Sequence, residues 1–422
     1  MSSVPDITAR IERGLKRRHR GERIFRGLGI AALAFAGLML LYLLWIIAAP
    51  GVAGFTRHEL RLNIDTAPLV QQEPETIDYY ALTQAALRDS VKMKPTAKTI
   101  TRHSLYRLVG FFAADEVKRQ LLDQRKRWGG RVVVWVPLSD IADLTLKGKI
   151  RKRAPRHLRP ITDLQIRWLE GWEEDGHIRR SINRDFFTKG DSRAPEAAGF
   201  FGSMVGSLMM LLVCMALALP TAVLAAIYLE EFAPKNRLSD ALEIVINNLA
   251  AVPSIIYGLL GLSVYLQLFG LPRSSPLVGA LTLALLILPV MIIAARAALR
   301  AVPPSMRMGA LALGASPIQA VRHHVLPYAL PGILTGTILS VARAIGETAP
   351  LLLIGMVAFV ADVPRGLTDP STAMPVQIYL WASSPELGFA EKTSAGILVL
   401  LAILLLLNLT AIILRRRTET TW

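Results

Sequence analysis

Residues 308–355 read MGALALGASPIQAVRHHVLPYALPGILTGTILSVARAIGETAPLLLIG. Two features that rarely occur together meet here. The first half is a short, polar, basic segment between two apolar runs. The second half is an apolar run that carries Arg343 and Glu347 in its interior. A charged pair inside a membrane span is costly, and it marks either a substrate path or a structural pair. A compact segment on the cytoplasmic side is a natural docking point for a soluble partner. The stretch predicts a membrane subunit that moves a solute and is driven by something outside its own chain.

Composition agrees with that reading. Of the 422 residues, 52% are hydrophobic, and the mean hydropathy is +0.41. This is too apolar for an ordinary soluble domain, and the apolar residues come in blocks of spanning length. A formal net charge of +16 fits a membrane protein, where Lys and Arg gather in cytoplasmic loops and meet anionic headgroups. No recognised binding motif accompanies the charge, so nucleic acid is not an expected partner. The one cysteine, Cys214, lies in an apolar run, which excludes a disulfide framework and a thiolate metal site.

In chain order, residues 1–26 are polar and basic (Arg10, Arg13, Lys16, Arg17, Arg18, Arg20, Arg23, Arg26) and form a cytoplasmic N-terminus. Residues 27–49, GLGIAALAFAGLMLLYLLWIIAA, carry no charge and are long enough to cross a bilayer. The small residues after them would suit a cleaved signal, but signal cores are shorter, so an uncleaved first transmembrane helix is expected. Residues 50–196 contain no spanning run and read as a small α/β insertion. It is expected to hold an amphipathic helix over Ser104–Trp128, with Leu105, Leu108, Val109, Phe112, Val117, Leu121 and Leu122 near one face, broken by Gly129-Gly130. A buried strand at Arg131–Pro137 (RVVVWVP) and a helix over Ile161–Trp172 complete it. The basic run Lys147–Arg159 reads as an anion or lipid patch, or as a solvated loop.

Residues 197–415 hold five more spans, near Phe200–Tyr228, Ile244–Leu268, Leu277–Leu299, Pro331–Phe359 and Gly396–Leu414. Pro220 and Pro289 are tolerated inside such helices when neighbours satisfy the freed carbonyls. The fold class expected is therefore an all-α polytopic membrane protein with six transmembrane helices. Short-loop charges orient it. The N-terminus, the loop with Lys235 and Arg237, the loop 300–327 with Arg300, Arg307 and Arg322, and the 416–422 tail lie on one side. That side is the cytoplasm, which puts both termini inside and residues 50–196 outside.

The loop 300–327 is expected to hold a helix, a sharp break at Gly314-Ala315-Ser316-Pro317, and a second helix ending at Leu326-Pro327. Gly314 permits the break, Ser316 can cap the next helix and Pro317 suits its first turn. Here the chain resembles ABC importer permeases, whose coupling loop reads E-A-A, three residues, G, nine residues, I-x-L-P. Ala310, Gly314, Leu326 and Pro327 match it, whereas Met308, Gly309 and His324 replace the glutamate, the first alanine and the isoleucine. AAIYLEEF (225–232), VPSIIYGLLGL (252–262), ARAIGETAPLL (342–352) and MPVQIYL (374–380) resemble the PstA-type permeases of phosphate importers. The resemblance covers about residues 198–416 and leaves the first 197 as an N-terminal extension.

The resemblance implies the type I ABC importer permease fold, and a permease subunit rather than an enzyme. The implied partners are a second homologous permease, an ABC ATPase dimer and a periplasmic phosphate-binding protein, in a bacterial inner membrane. In that family the loop docks into a groove of the ATPase. No G-x-x-x-x-G-K-[ST] loop occurs, so no cofactor is expected on this chain and ATP with Mg²⁺ is placed on the partner.

Arg343 lies twelve residues beyond Pro331, about 18 Å along a helix, which is near the middle of a span. Glu347 is at i+4, so both side chains share a face. Small residues Ala342, Ala344 and Gly346 permit close packing, and Pro350 disturbs the helix just past the pair. Arginine offers bidentate hydrogen bonds to a tetrahedral oxyanion. Glu347 can neutralise it when no anion is present, and can accept from a protonated phosphate oxygen. A closed pair that only fixes packing is the competing account. Thr348 is a weaker path residue, since its hydroxyl can bond back to its own helix.

Arg296 reads as snorkelling near a helix end, Glu230 and Glu231 as exposed helix-end charges, and Trp381 and Tyr379 as interfacial anchors. Other cargoes (sulfate, molybdate, a phosphonate) and a membrane-anchored sensor using residues 50–196 are the alternative functions.

Overall fold

The computed structural model describes residues 7–93 and 98–418, and the chain falls into two units, residues 1–50 and 51–422. Residues 1–6 of the basic N-terminus and 419–422 of the tail lie outside the described residues. The first unit holds all but the last four residues of one helix, α1 (Ile7–Gly54), which runs unbroken from the basic stretch through the apolar one. Its apolar part is long enough to cross a membrane.

The second unit opens with the extension. Its elements are β1 (Thr56–Asp65), α2 (Tyr79–Ser90), α3 (Thr99–Tyr106), α4 (Ala113–Asp123), β2 (Arg131–Pro137), α5 (Asp140–Leu146), α6 (Asp163–Glu174) and β3 (Ile178–Ile182). The three strands form an antiparallel sheet in the order β2–β1–β3. Period-two alternation decides its faces. Leu60, Leu62 and Ile64 of β1 lie beside Val136, Val134 and Val132 of β2 and are all buried. Val117 and Leu121 of α4 and Leu169 and Trp172 of α6 close the core over that face. The single amphipathic helix expected over Ser104–Trp128 is instead two, α3 and α4. Between them Gly110 N donates to Pro137 O at 2.9 Å and Ser139 N to Leu108 O at 2.9 Å. The backbone there pairs with the chain leaving β2, which a helix could not do.

The core follows. α7 (Phe201–Ile227) continues as a π-helix over Tyr228–Phe232. α8 (Arg237–Ala251) and α9 (Ser254–Leu260, extended to Leu268) meet at a bend of 101°. Then come α10 (Pro276–Arg300), α11 (Pro304–Ala312), α12 (Pro317–Ala320), α13 (Leu326–Gly346), α14 (Ala349–Leu353), α15 (Met374–Ala382) and α16 (Gly388–Thr418). α12 and α13 are joined by a π turn over Val321–Val325 into one 30-residue rod, Pro317–Gly346.

Three expectations are corrected here. The span Ile244–Leu268 is the bent pair α8 and α9, because Pro253 drives Val252 out of the helical region (φ −66°, ψ 132°). The second helix of the 300–327 loop does not stop at Leu326-Pro327 but runs on to Gly346. The π turn before Pro327 widens the helix where the proline ring would meet the carbonyl of residue 323. The span Pro331–Phe359 ends at Gly346, because Pro350 has no N–H for the Gly346 carbonyl and its ring would strike that carbonyl.

Five described helices are long and apolar enough to cross a membrane, or six if the bent pair is one span. Ion pairs fix the relative direction of two of them. Arg300 holds Glu230 at 2.9 Å and Arg307 holds Glu231 at 2.6 Å, so the C-terminal ends of α7 and α10 lie together. At the other end Leu277 N donates to Leu367 O at 2.9 Å and Met374 N to Ser207 Oγ at 2.8 Å. α7 and α10 therefore run parallel, and α8 with α9 must carry the chain back between them. The extension sits at the end where α16 begins, with Lys147 on Glu391 at 2.8 Å. The 300–317 loop lies at the opposite end.

Candidate functional site

At the end away from the extension, α11 and α12 form a hairpin whose geometry follows from four residues. Gly314 takes φ +89°, a region open to glycine. Gly314 N then donates to Leu311 O at 3.0 Å and Ala315 N to Ala310 O at 3.1 Å, a Schellman closure of α11. Ser316 caps α12. Gln319 N donates to its hydroxyl at 3.3 Å, and Ser316 N donates to Gln319 Oε1 at 2.8 Å, a capping box with Pro317 in the first turn. Ala310 is buried, Leu326 is half-buried beneath the hairpin, and Gly314, Ser316, Pro317 and Pro327 are exposed. The tip is apolar: Met308, Leu313 and Ile318 stand out, with Leu313 91% exposed. Sequence reading missed these three, although their position beside the helix break was the available signal.

The hairpin is fastened to the membrane helices. Arg307 donates to both oxygens of Glu231 and to the carbonyls of Leu299 and Val302, at 2.6–3.0 Å. Those carbonyls end α10, where a cation is favoured. Beside it Arg296 reaches Glu243 at 2.8 Å and Glu230 at 3.4 Å. Arg296 is buried, at 9% exposure, and does not snorkel. Glu230 and Glu231 are likewise paired rather than solvated, their side chains 18% and 9% exposed. A guanidinium within the packed core finds carboxylates because burial without them is prohibitive.

Arg343 stands in the last turn of α13, not midway along a span. Glu347 lies past the helix end in extended backbone (φ −71°, ψ 125°), so the two do not share a helical face. They still meet: Arg343 Nε donates to Glu347 Oε1 at 3.3 Å. Thr348 Oγ1 bonds back to Gly346 O at 3.4 Å. The Arg343 side chain remains 39% exposed on this chain, and that of Glu347 17%. The pair therefore sits at a helix break with spare donors. Directly behind it α14 packs against α9, the half-helix beyond the other break. A methyl on Gly258 would lie 2.6 Å from Pro350 Cα, so the two broken spans touch backbone to backbone.

The family described as "Binding-protein-dependent transport system inner membrane component" matches residues 218–420. The phosphate transport system permease protein PstA 1 of Mycobacterium tuberculosis is 34% identical over 221 residues, covering 52% of this chain and 71% of that protein. The PstA permease of Haemophilus influenzae is 32% identical over 229 residues, covering 54% of this chain and 80% of its own. The chain belongs to the PstA family of permeases. Its core thus has the type I ABC importer permease fold, with the three-stranded sheet of the extension as an insertion. Among solved structures it is similar to an inward-facing MetNI methionine ABC transporter chain, with a TM-score of 0.40, 17% identity, 52% of this chain and 95% of that one covered.

Residues 12–156 match a different family model, a domain of unknown function. The PstA-like half contains both sites described above, the hairpin and the Arg343 break. The ring residue Trp381 is corrected here too. It is 2% exposed, donates from Nε1 to Asp191 at 2.9 Å and packs with Phe200 and Phe389, so it is no interfacial anchor. Tyr379, on the same helix α15, is exposed.

Proposed function

We propose that this chain is the permease subunit through which an ATP-driven importer moves inorganic phosphate. Its relatives' names favour phosphate over the other oxyanions. The observation that carries the reading is the Arg343–Glu347 pair at the break of a PstA-family span. A guanidinium there has donors left for a tetrahedral oxyanion. Glu347 neutralises it in the empty state and accepts from a protonated phosphate oxygen. Thr348 supplies one more hydroxyl beside them.

The pair is partly open on this chain alone, which fits a path completed by a second permease. α8 buries no residue, and its exposed Leu238, Leu242, Ile244 and Val245 suit such a neighbour or lipid. The hairpin with Ala310, Gly314, Ser316, Pro317, Leu326 and Pro327 is the contact for an ABC ATPase dimer. Met308, Leu313 and Ile318 enter its groove, and Arg307 passes the thrust to α7 and α10. ATP and Mg²⁺ belong to that partner. An extracytoplasmic phosphate-binding protein delivers cargo at the opposite end, near the extension. With six crossings, both termini lie in the cytoplasm of a bacterial inner membrane.

The test is phosphate-stimulated ATP hydrolysis and uptake by the co-purified complex in lipid, wild type beside Arg343→Ala. Loss of both with the complex still assembled supports the path. Normal stimulation and uptake return Arg343 to packing.

A further inference from the structure

We propose that the cavity between the extension and the loop after α14 is a binding site for an organic cation with an apolar body. The proposal is independent of the cargo. The cavity holds about 890 Å³, a size suited to a small molecule. Three segments and Pro137 wall it: the start of α4, the irregular run from Asp185 to Ala197 leading into α7, with a 3-10 turn at each end, and residues 359–363.

Its apolar surface is aromatic. Phe111 and Phe112 meet edge to face at 5.1 Å and turn away from the extension's core, with Phe111 81% exposed. Their place is fixed rather than incidental, because Phe111 N donates to Glu196 Oε1 at 2.9 Å. Phe359 faces them from the core loop and already carries a cation, the Arg193 guanidinium, 5.5 Å from its ring centroid. Aromatic faces attract cations at exposed sites as well, though less strongly than where water is excluded.

Its charge is acidic, although the chain is strongly basic. Six carboxylates line it against three cations. Glu116 is matched by Arg119 at 2.5 Å, and Asp185 by Lys189 at 3.2 Å and by Arg57 at 2.7 Å. Asp191 and Glu196 are held by hydrogen bonds. Among the described residues, the side chains of Asp115 and Asp362 form no hydrogen bond or ion pair. They stand on opposite walls, one on α4 and one on the core loop. A phosphate would meet net repulsion here, whereas an ammonium finds two free carboxylates and three rings. Such an occupant ties the extension to the loop that follows the Arg343 break, so its binding energy stabilises that junction by mass action.

The experiment uses the full chain in detergent and three probes of one shape: phenethylamine, phenethyl alcohol and 3-phenylpropanoate. Binding is read by calorimetry and by the shift in Tm. Phenethylamine is expected to saturate with Kd below about 1 mM, the alcohol to bind at least roughly tenfold more weakly, and the carboxylate not at all. The Asp115→Asn/Asp362→Asn double variant, altered only at exposed side chains, keeps the Tm of the unliganded chain and loses the preference for the amine. Phe111→Ala weakens both binders. Absence of saturation by phenethylamine overturns the site. Equal binding of amine and alcohol reduces it to an apolar hollow and overturns the cation assignment. Unchanged amine affinity in the double variant puts the binding elsewhere and overturns it as well.

Discussion

Arg307 of α11 and Glu231 of the π-helix that ends the first core span are joined fork to fork, Nη2 to Oε1 at 2.6 Å and Nε to both oxygens at 3.0 Å. The same guanidinium bonds two carbonyls at the end of α10. One side chain thus ties the exposed hairpin to two spans, and under the proposed coupling role a push on the hairpin reaches both. Lysine cannot copy the fork. Arg307→Ala is expected to cut cargo uptake roughly tenfold, the scale of a coupling change of about 1–2 kcal/mol, while basal ATP hydrolysis of the assembled complex persists. Arg307→Lys falls between. Uptake equal to wild type in Arg307→Ala would remove the latch from the coupling route.

Glu347 and Arg343 give the second prediction. Sulfate lacks a proton near neutral pH, so only phosphate can donate to Glu347. Glu347→Gln keeps the shape and offers a donor as well as an acceptor. The phosphate-over-sulfate preference is expected to fall roughly tenfold, the scale of one hydrogen bond to a charged group. Competition uptake with labelled phosphate measures it. An unchanged preference and rate would leave the pair as a packing device.

A third prediction concerns acid. Burial pushes the Asp143 carboxyl up, but the bonds from His58 and Lys147 outweigh it and hold it below the ordinary range. Burial also pushes Asp185 up, and Arg57 outweighs it. A depressed carboxylate contributes stability that is complete above its unfolded value, about 3.9 for aspartate, and lost as pH falls through the folded value. Lys147 links Asp143 at 2.6 Å to Glu391 at the start of α16, so this stability holds the extension to the core. Asp143→Asn is expected to cost about 3 kcal/mol near pH 7. Its deficit in Tm should close as pH drops below about 4. A deficit that is constant with pH would mean the loss is steric. Asp140 and Glu196 are raised by burial and gain stability on acidification, so the comparison must be variant against wild type.

Local signals in the sequence carried part of the fold, and contacts between distant elements carried the rest. The break at Gly314-Ala315-Ser316-Pro317 was, because a left-handed glycine, a capping serine and an N1 proline all act within a few residues. The strand Arg131–Pro137 was, because a short run of β-branched and aromatic residues bounded by Gly129-Gly130 and Pro137 suits a buried strand. The two broken spans were not, because hydropathy reports apolar length and is blind to direction. Pro253 and Pro350 carried the signal, each by forbidding helix around a specific neighbour. The pairing of Arg296, Arg300 and Arg307 with Glu230, Glu231 and Glu243 was beyond reach, since it depends on which helix ends meet in space.

The last prediction tests that meeting. Gly332 and Gly336 of α13, one turn apart, face Ala298 and Ala294 of α10, also one turn apart. A methyl on Gly336 would lie 2.4 Å from Ala294 Cβ, and one on Gly332 would lie 2.7 Å from Ala298 Cβ. Small residues at this spacing let membrane helices approach closely. An alanine methyl has no rotamer to move into, so relief requires the helices to part. Gly336→Ala is expected to destabilise the core by about 1–3 kcal/mol, the usual cost of overpacking. Ala294→Gly removes the opposing methyl and should restore most of the loss in the double variant, whereas Ala298→Gly, a turn away, should not. Denaturation of the purified chain in detergent reads all four. Additive losses in Gly336→Ala/Ala294→Gly would mean that the α10–α13 contact is looser than the 2.4 Å approach requires. Rescue confined to Ala294 would fix the register of the two helices, and with it the distance from the Arg307 latch to the Arg343 break.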